Sequence, residues 1–209
     1  MEMALAVTAF FTLFVVIDPI GLAPMFVAMT SGMTQKQRLR IAATSCLVAV
    51  FILTVFGLAG QKLLDFVGIS LAAFRISGGI LLFITALDML FERRTARREE
   101  KADDASGDLA NDPSVFPLAM PLIAGPGALA SMILLSSGAD WDVTVMILGV
   151  MLAVVALVFV MFLLATPIEK LLGATGVVVT TRLMGMLLAA LSVQFVVDGM
   201  RDLGVLAAG

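Results

Sequence analysis

A proline and an arginine recur at one spacing in the two halves of this chain. Pro19 and Arg75 are 56 positions apart, and so are Pro126 and Arg182. Both pairs sit inside long apolar runs, where proline removes a backbone donor and arginine is costly to bury. A shift of 107 residues lays the first half on the second. Pro19-Ile20-Gly21-Leu22-Ala23-Pro24-Met25 then falls on Pro126-Gly127-Ala128-Leu129-Ala130-Ser131-Met132, and Arg75-Ile76-Ser77-Gly78 on Arg182-Leu183-Met184-Gly185. Leucine and alanine matches mean little in so apolar a chain; the proline, arginine and glycine matches carry the weight. Duplication with helices interrupted at corresponding places is a known design for membrane transporters.

The 209 residues are 61% hydrophobic and 14% charged, against about a quarter charged in ordinary globular domains. No soluble shape covers that much apolar surface, so the lipid bilayer is part of the solvent. A net charge of −3 gives no basic footprint, and no nucleic acid partner is expected. There is no histidine, and Cys46 is the one cysteine. That removes Ser–His and Cys–His catalytic pairs, the usual zinc sites and an internal disulfide. The expectation is a protein that is not an enzyme, with no cofactor and no metal site. The Met1-Glu2-Met3 start lacks a basic segment and reads as the beginning of a first membrane span, not a cleaved signal.

A spanning helix needs about 20 apolar residues. The sequence predicts six, near 5–29, 41–60, 66–91, 115–137, 143–165 and 176–199. Gln61, Lys62 and Asp65 read as a short turn, Thr166 to Lys170 as a short polar break, and Gly173 to Gly176 as a flexible approach to the last span. Lys36, Arg38, Arg40, Arg93, Arg94, Arg97, Arg98, Lys101 and Lys170 fall on one side of these spans; only Lys62 and Arg201 fall on the other. The basic side is expected in the cytoplasm, with both termini outside it and the chain multi-pass in the inner (plasma) membrane. Three spans per copy make the second copy enter from the opposite side. The expected fold is an all-α membrane protein: six transmembrane helices as two inverted three-helix repeats with broken first helices. One transmembrane domain covers 1–209, with repeat one at 5–91, a cytoplasmic linker at 92–114 and repeat two at 115–199.

Asp18-Pro19 and Gly125-Pro126 read as helix starts. Proline suits the first helical position, and aspartate or glycine the cap before it. Each repeat's first helix is expected to break inside the membrane and restart there. A half-helix start presents N–H groups and a partial positive charge, which can hold a carboxylate. Asp18, Pro19, Gly21, Gly125, Pro126 and Gly127 are therefore the candidate substrate-binding residues. The alternative is a kink that serves packing only. Arg75, Arg182 and Gln194 are candidate buried polar or pathway residues. For the arginines the alternative is snorkelling to the headgroups. Asp18 is read as an N-cap or as a proton or sodium site.

These motifs resemble the MarC family of bacterial and archaeal membrane proteins. The resemblance covers nearly the whole chain. It rests on Asp18-Pro19-Ile20-Gly21-Leu22-Ala23-Pro24, Phe74-Arg75-Ile76-Ser77-Gly78-Gly79, Pro117-Leu118-Ala119-Met120-Pro121 with Ala124-Gly125-Pro126-Gly127, and Arg182-Leu183-Met184-Gly185. Val193-Gln194-Phe195 and Gly199 fit as well. The resemblance implies a six-span inner-membrane protein and a transporter of small neutral amino acids such as alanine and glycine, with ion coupling. Many members carry asparagine at the position of Asp18. The expected partners are lipid, a small-molecule substrate and a coupling proton or sodium ion, with a homo-oligomer left open. The competing readings are an ion channel or ion transporter, and a non-transporting membrane scaffold.

Overall fold

Prolines, glycines and capping side chains punctuate the chain. A computed structural model describes the backbone of residues 2–91 and 122–206, and all of its regular elements are helices. They are α1 (Glu2–Ile17), α2 (Pro19–Met29), α3 (Gln35–Val67), α4 (Leu71–Leu90), α5 (Pro126–Ser136), α6 (Trp141–Leu163) and α7 (Ala165–Asp202). Helices α1 and α2 meet at Asp18, and Met3–Met29 together is long and apolar enough to cross a membrane. So are α3, α4, α6 and Thr175–Asp202 of α7. Helix α5 is apolar but only 11 residues long.

Local chemistry explains the ends. Thr34 starts α3 with a reciprocal cap: Gln37 donates its N–H to Thr34 Oγ1, and Thr34 donates its N–H to Gln37 Oε1 at 2.9 Å. Ser70 Oγ accepts the Ala73 N–H at 3.2 Å to start α4. Gly68 ends α3 with φ 80, a left-handed turn that glycine enters without a Cβ penalty.

Two expected boundaries are corrected. Gln61, Lys62 and Asp65 are helical, because polar residues alone do not end a helix and the first breaker is Gly68. At 33 residues α3 is about 50 Å long, which exceeds a hydrocarbon core of about 30 Å and lets its polar ends project. Thr166 to Gly176 is also helical, interrupted once at Gly173 (φ 61, ψ 175). The linker 92–114 and the first part of the fourth expected span, 115–121, lie outside the described residues. What is described of that span is a π-turn at Leu122 and Ile123 followed by α5.

Helices α4 and α7 make the most extensive contact and run antiparallel. Gly199 faces Ile76 and Ala72, Gly79 faces Ser192 and Val196, and Gly185 faces Met89 and Ala86. A Cβ on Gly79 would lie 2.8 Å from the Ser192 carbonyl oxygen, and one on Gly199 would lie 3.0 Å from that of Ala72. Glycine lets the two backbones approach, which is how packing replaces the missing hydrophobic drive in lipid. Elsewhere α2 lies against α7 and α6, while α5 lies against α4 and α3. The 107-residue shift carries α2 onto α5, α3 onto α6 and α4 onto α7. It therefore carries the first pair of neighbours onto the second.

The interior is apolar, with Leu13, Ile17, Leu22, Phe26, Leu82, Met132, Ile147 and Phe162 fully buried. Phe51, Phe66, Leu47 and Leu183 point outward. A chain that exposes such residues over most of its helical perimeter fits a multi-pass membrane protein.

Candidate functional site

The first break is a single residue. Asp18 has φ 59 and ψ 65, the one non-glycine among the described residues with positive φ. Aspartate and asparagine tolerate this conformation better than other side chains, because their short polar group bonds locally. Here Oδ1 of Asp18 accepts the Gly21 N–H at 3.0 Å. Pro19 follows at the first helical position and has no N–H for the Val15 carbonyl, so the regular ladder is interrupted. Asp18 is 2% exposed and Pro19 is buried. The second break is built differently. Gly125 is extended (φ −73, ψ 168) without a side-chain cap, and Pro126 opens α5. Gly127 is buried and Pro126 exposed.

The two breaks meet. A Cβ on Gly127 would sit 3.1 Å from Cγ1 of Val16, two residues before Asp18, and equally close to Cδ2 of Leu82. Thr12 lies four residues before Val16 and Ser131 four after Gly127, on the same faces of their helices. Both are fully buried, and neither hydroxyl has a hydrogen-bond partner among the described residues. Sequence reading missed them because serine and threonine in a membrane helix ordinarily bond the carbonyl one turn back, as Ser45 and Thr30 do here. An unsatisfied buried hydroxyl is uncommon and calls for an explanation, such as a ligand or water.

The remaining candidates lie elsewhere. Arg75 is in the second turn of α4 and pairs with Asp202 at the end of α7. Gln194 donates to Asp198 Oδ1 at 2.8 Å on the exposed side of α7, and Arg182 is exposed on the same helix. None of the three is buried. Helix α4 starts at Leu71 and α7 runs on to Asp202, so Arg75 sits near the end of the bundle with a carboxylate in reach. Among the described residues no group of three or more acidic, cysteine or histidine side chains could hold a metal ion.

Two cavities open at opposite ends of α3. One, of about 490 Å³, lies between Phe26, Met33, Gln35, Arg38, Phe162 and Thr166. The other, of about 370 Å³, lies between Gly57, Gln61, Lys62, Asp65, Ser136 and Trp141. About 35 Å of helix separates Arg38 from Gln61. In the second cavity Gln61 Oε1 accepts the Gly138 N–H at 2.8 Å, and the buried Ser136 hydroxyl has no partner among the described residues.

The sequence matches the model of the MarC family, described as integral membrane proteins, over residues 3–203. It is 38% identical over 200 residues to a UPF0056 membrane protein of Archaeoglobus fulgidus, covering 93% of this chain and 91% of that one. Another of that name, from Methanocaldococcus jannaschii, is 34% identical and covers 96% of this chain and 98% of its own. The UPF0056 membrane protein YhcE of Escherichia coli is 32% identical, covering 93% and 91%. No solved structure matches. With five described helices able to span a bilayer and a family match along nearly its whole length, the chain is an integral multi-pass membrane protein that belongs to the MarC family.

Proposed function

We propose that the protein is a secondary transporter of small neutral amino acids or similar zwitterionic solutes across the inner membrane, coupled to a proton or sodium ion. The observation that carries this is the contact of Gly127 with Val16, which joins two proline-interrupted helices inside the bundle. Broken helices around a central site are the transporter solution for presenting backbone groups within a bilayer. The unpartnered hydroxyls of Thr12 and Ser131 flank that contact and supply polar groups for a solute. The reading includes two inverted repeats. Its support is the antiparallel packing of α4 on α7 and the exchange of neighbours under the 107-residue shift. Cavities at the two ends of α3 give such a carrier one approach from each face. Both termini then lie outside the cytoplasm.

Uptake of labelled alanine and glycine into proteoliposomes, with and without proton or sodium gradients, tests it. Saturable uptake that is accelerated by one gradient supports the reading. No uptake under any gradient overturns it, and unsaturable ion flux without solute would assign a channel instead.

A further inference from the structure

Among the described residues Arg38 is a cation without an anion. Its guanidinium carbon stands 5.6 Å from the centre of the Phe26 ring, and its two terminal nitrogens both donate to Thr166 Oγ1 at 3.3 Å. No carboxylate among the described residues pairs with it, whereas Arg75 and Arg201 each have one. The side chain is partly buried at the wall of the 490 Å³ cavity, whose inner end is the stacked pair Phe26 and Phe162, 4.4 Å apart. A single hydroxyl is a weak partner for a planar fork of donors that matches a carboxylate with two parallel bonds. The position one repeat later is Val145, so the helix packing itself does not require a cation here.

We propose that this cavity is a docking site for the carboxylate of a small solute, held by Arg38. The carboxylate takes both guanidinium donors and displaces Thr166, so docking releases the contact between α3 and α7. Gln35 at the rim supplies a neutral donor and acceptor for the rest of the solute. The ring of Phe26 keeps the guanidinium oriented while it changes partners. This deepens the transport reading by naming where the cargo's carboxylate is first held, and it rests on that reading only for the identity of the solute as cargo.

The test measures binding without transport. The full chain carrying Cys46→Ser and Met33→Cys is reconstituted in phosphatidylcholine, and the rate at which a neutral maleimide labels position 33 is followed. The probes are acetate, alanine and alanine amide, which lacks the carboxylate. Acetate and alanine are expected to slow labelling in the millimolar range, as befits one partly hydrated ion pair, and alanine amide to have no effect. Arg38→Gln should abolish the protection, and Arg38→Lys should weaken it roughly tenfold. Thr166→Val removes the competing acceptor and should strengthen protection several-fold, which a purely structural Arg38 would not produce. Equal protection by alanine amide, protection that survives Arg38→Gln, or protection seen only on adding phosphatidylglycerol would overturn the proposal. The last result would assign the site to lipid phosphate. Protection without any uptake would sink the transport reading and leave the docking site standing. Uptake unchanged by Arg38→Gln would do the reverse.

Discussion

Arg75 near the start of α4 is paired with Asp202 in the last turn of α7, so one ion pair joins residues 127 positions apart and ties the two halves of the chain at one end. The side chains are 24% and 43% exposed. A pair this hydrated contributes on the order of 0–1 kcal/mol. Arg75→Gln or Asp202→Asn should each lower the melting temperature in detergent only slightly. The exchanged pair Arg75→Asp with Asp202→Arg should recover most of the loss. Unfolding of either single variant would contradict this placement.

The α4–α7 seam should be far more sensitive. A Cβ at Gly79 or Gly199 would strike backbone carbonyl oxygens, whereas one at Gly149 in α6 meets nothing within 4 Å. Gly79→Ala and Gly199→Ala are expected to destabilise by about 1–3 kcal/mol through overpacking. Gly149→Ala should be neutral or slightly stabilising. Thermal unfolding of the three variants side by side checks the contrast.

Asp18 should tolerate asparagine and not alanine. Asparagine accepts the left-handed backbone and keeps an oxygen for the Gly21 N–H; alanine loses the cap and strains the turn. The cost to Asp18→Ala is about 2 kcal/mol, the sum of a lost cap and an unfavourable φ. Asp18→Asn should retain stability and transport. If Asp18→Asn folds but no longer responds to a proton or sodium gradient, the carboxylate carries the coupling ion as well.

Gly127→Val is expected to harm the fold before it harms any pathway. Even one Cβ would stand 3.1 Å from both Val16 and Leu82, so two further methyl groups must push the breaks apart. Yield of monodisperse protein should fall sharply for valine and modestly for alanine. A well-folded valine variant with wild-type uptake would remove Gly127 from the site.

The distribution of basic residues predicts that a reporter active only in the cytoplasm stays silent when fused after Gly209, and is active when placed in the 92–114 linker. A cytoplasmic signal from the C-terminal fusion would end the case for inverted repeats.

The helix breaks were legible in the sequence because their causes are local. Pro19 and Pro126 lack an N–H, and Asp18 caps the third residue on, as Thr34 and Ser70 do. Of the glycine pair that matches between the halves, Gly185 packs in the α4–α7 seam, whereas Gly78 faces Ala130 and Leu134 of α5. Depth was less legible. The apolar run from residue 66 to 91 puts Arg75 inside a span, but Gly68 and Ser70 divide that run and leave Arg75 in the second turn of α4. In the sequence Arg38 is one charge in a basic loop, since Thr166 and Phe26 become its neighbours only on folding. The unpartnered hydroxyls of Thr12 and Ser131 were invisible for the same reason: absence of a partner is a property of the packed interior.

The close seam between α4 and α7 also sets when packing can be completed during synthesis. Gly79 is made early, but Ser192 and Val196, which close over it, belong to α7 and are made more than 100 residues later. Through the making of α5 and α6 that face of α4 has only lipid or the insertion machinery against it. The first half therefore cannot mature ahead of the second, and a chain halted before α7 is left with an open groove that quality control can recognise.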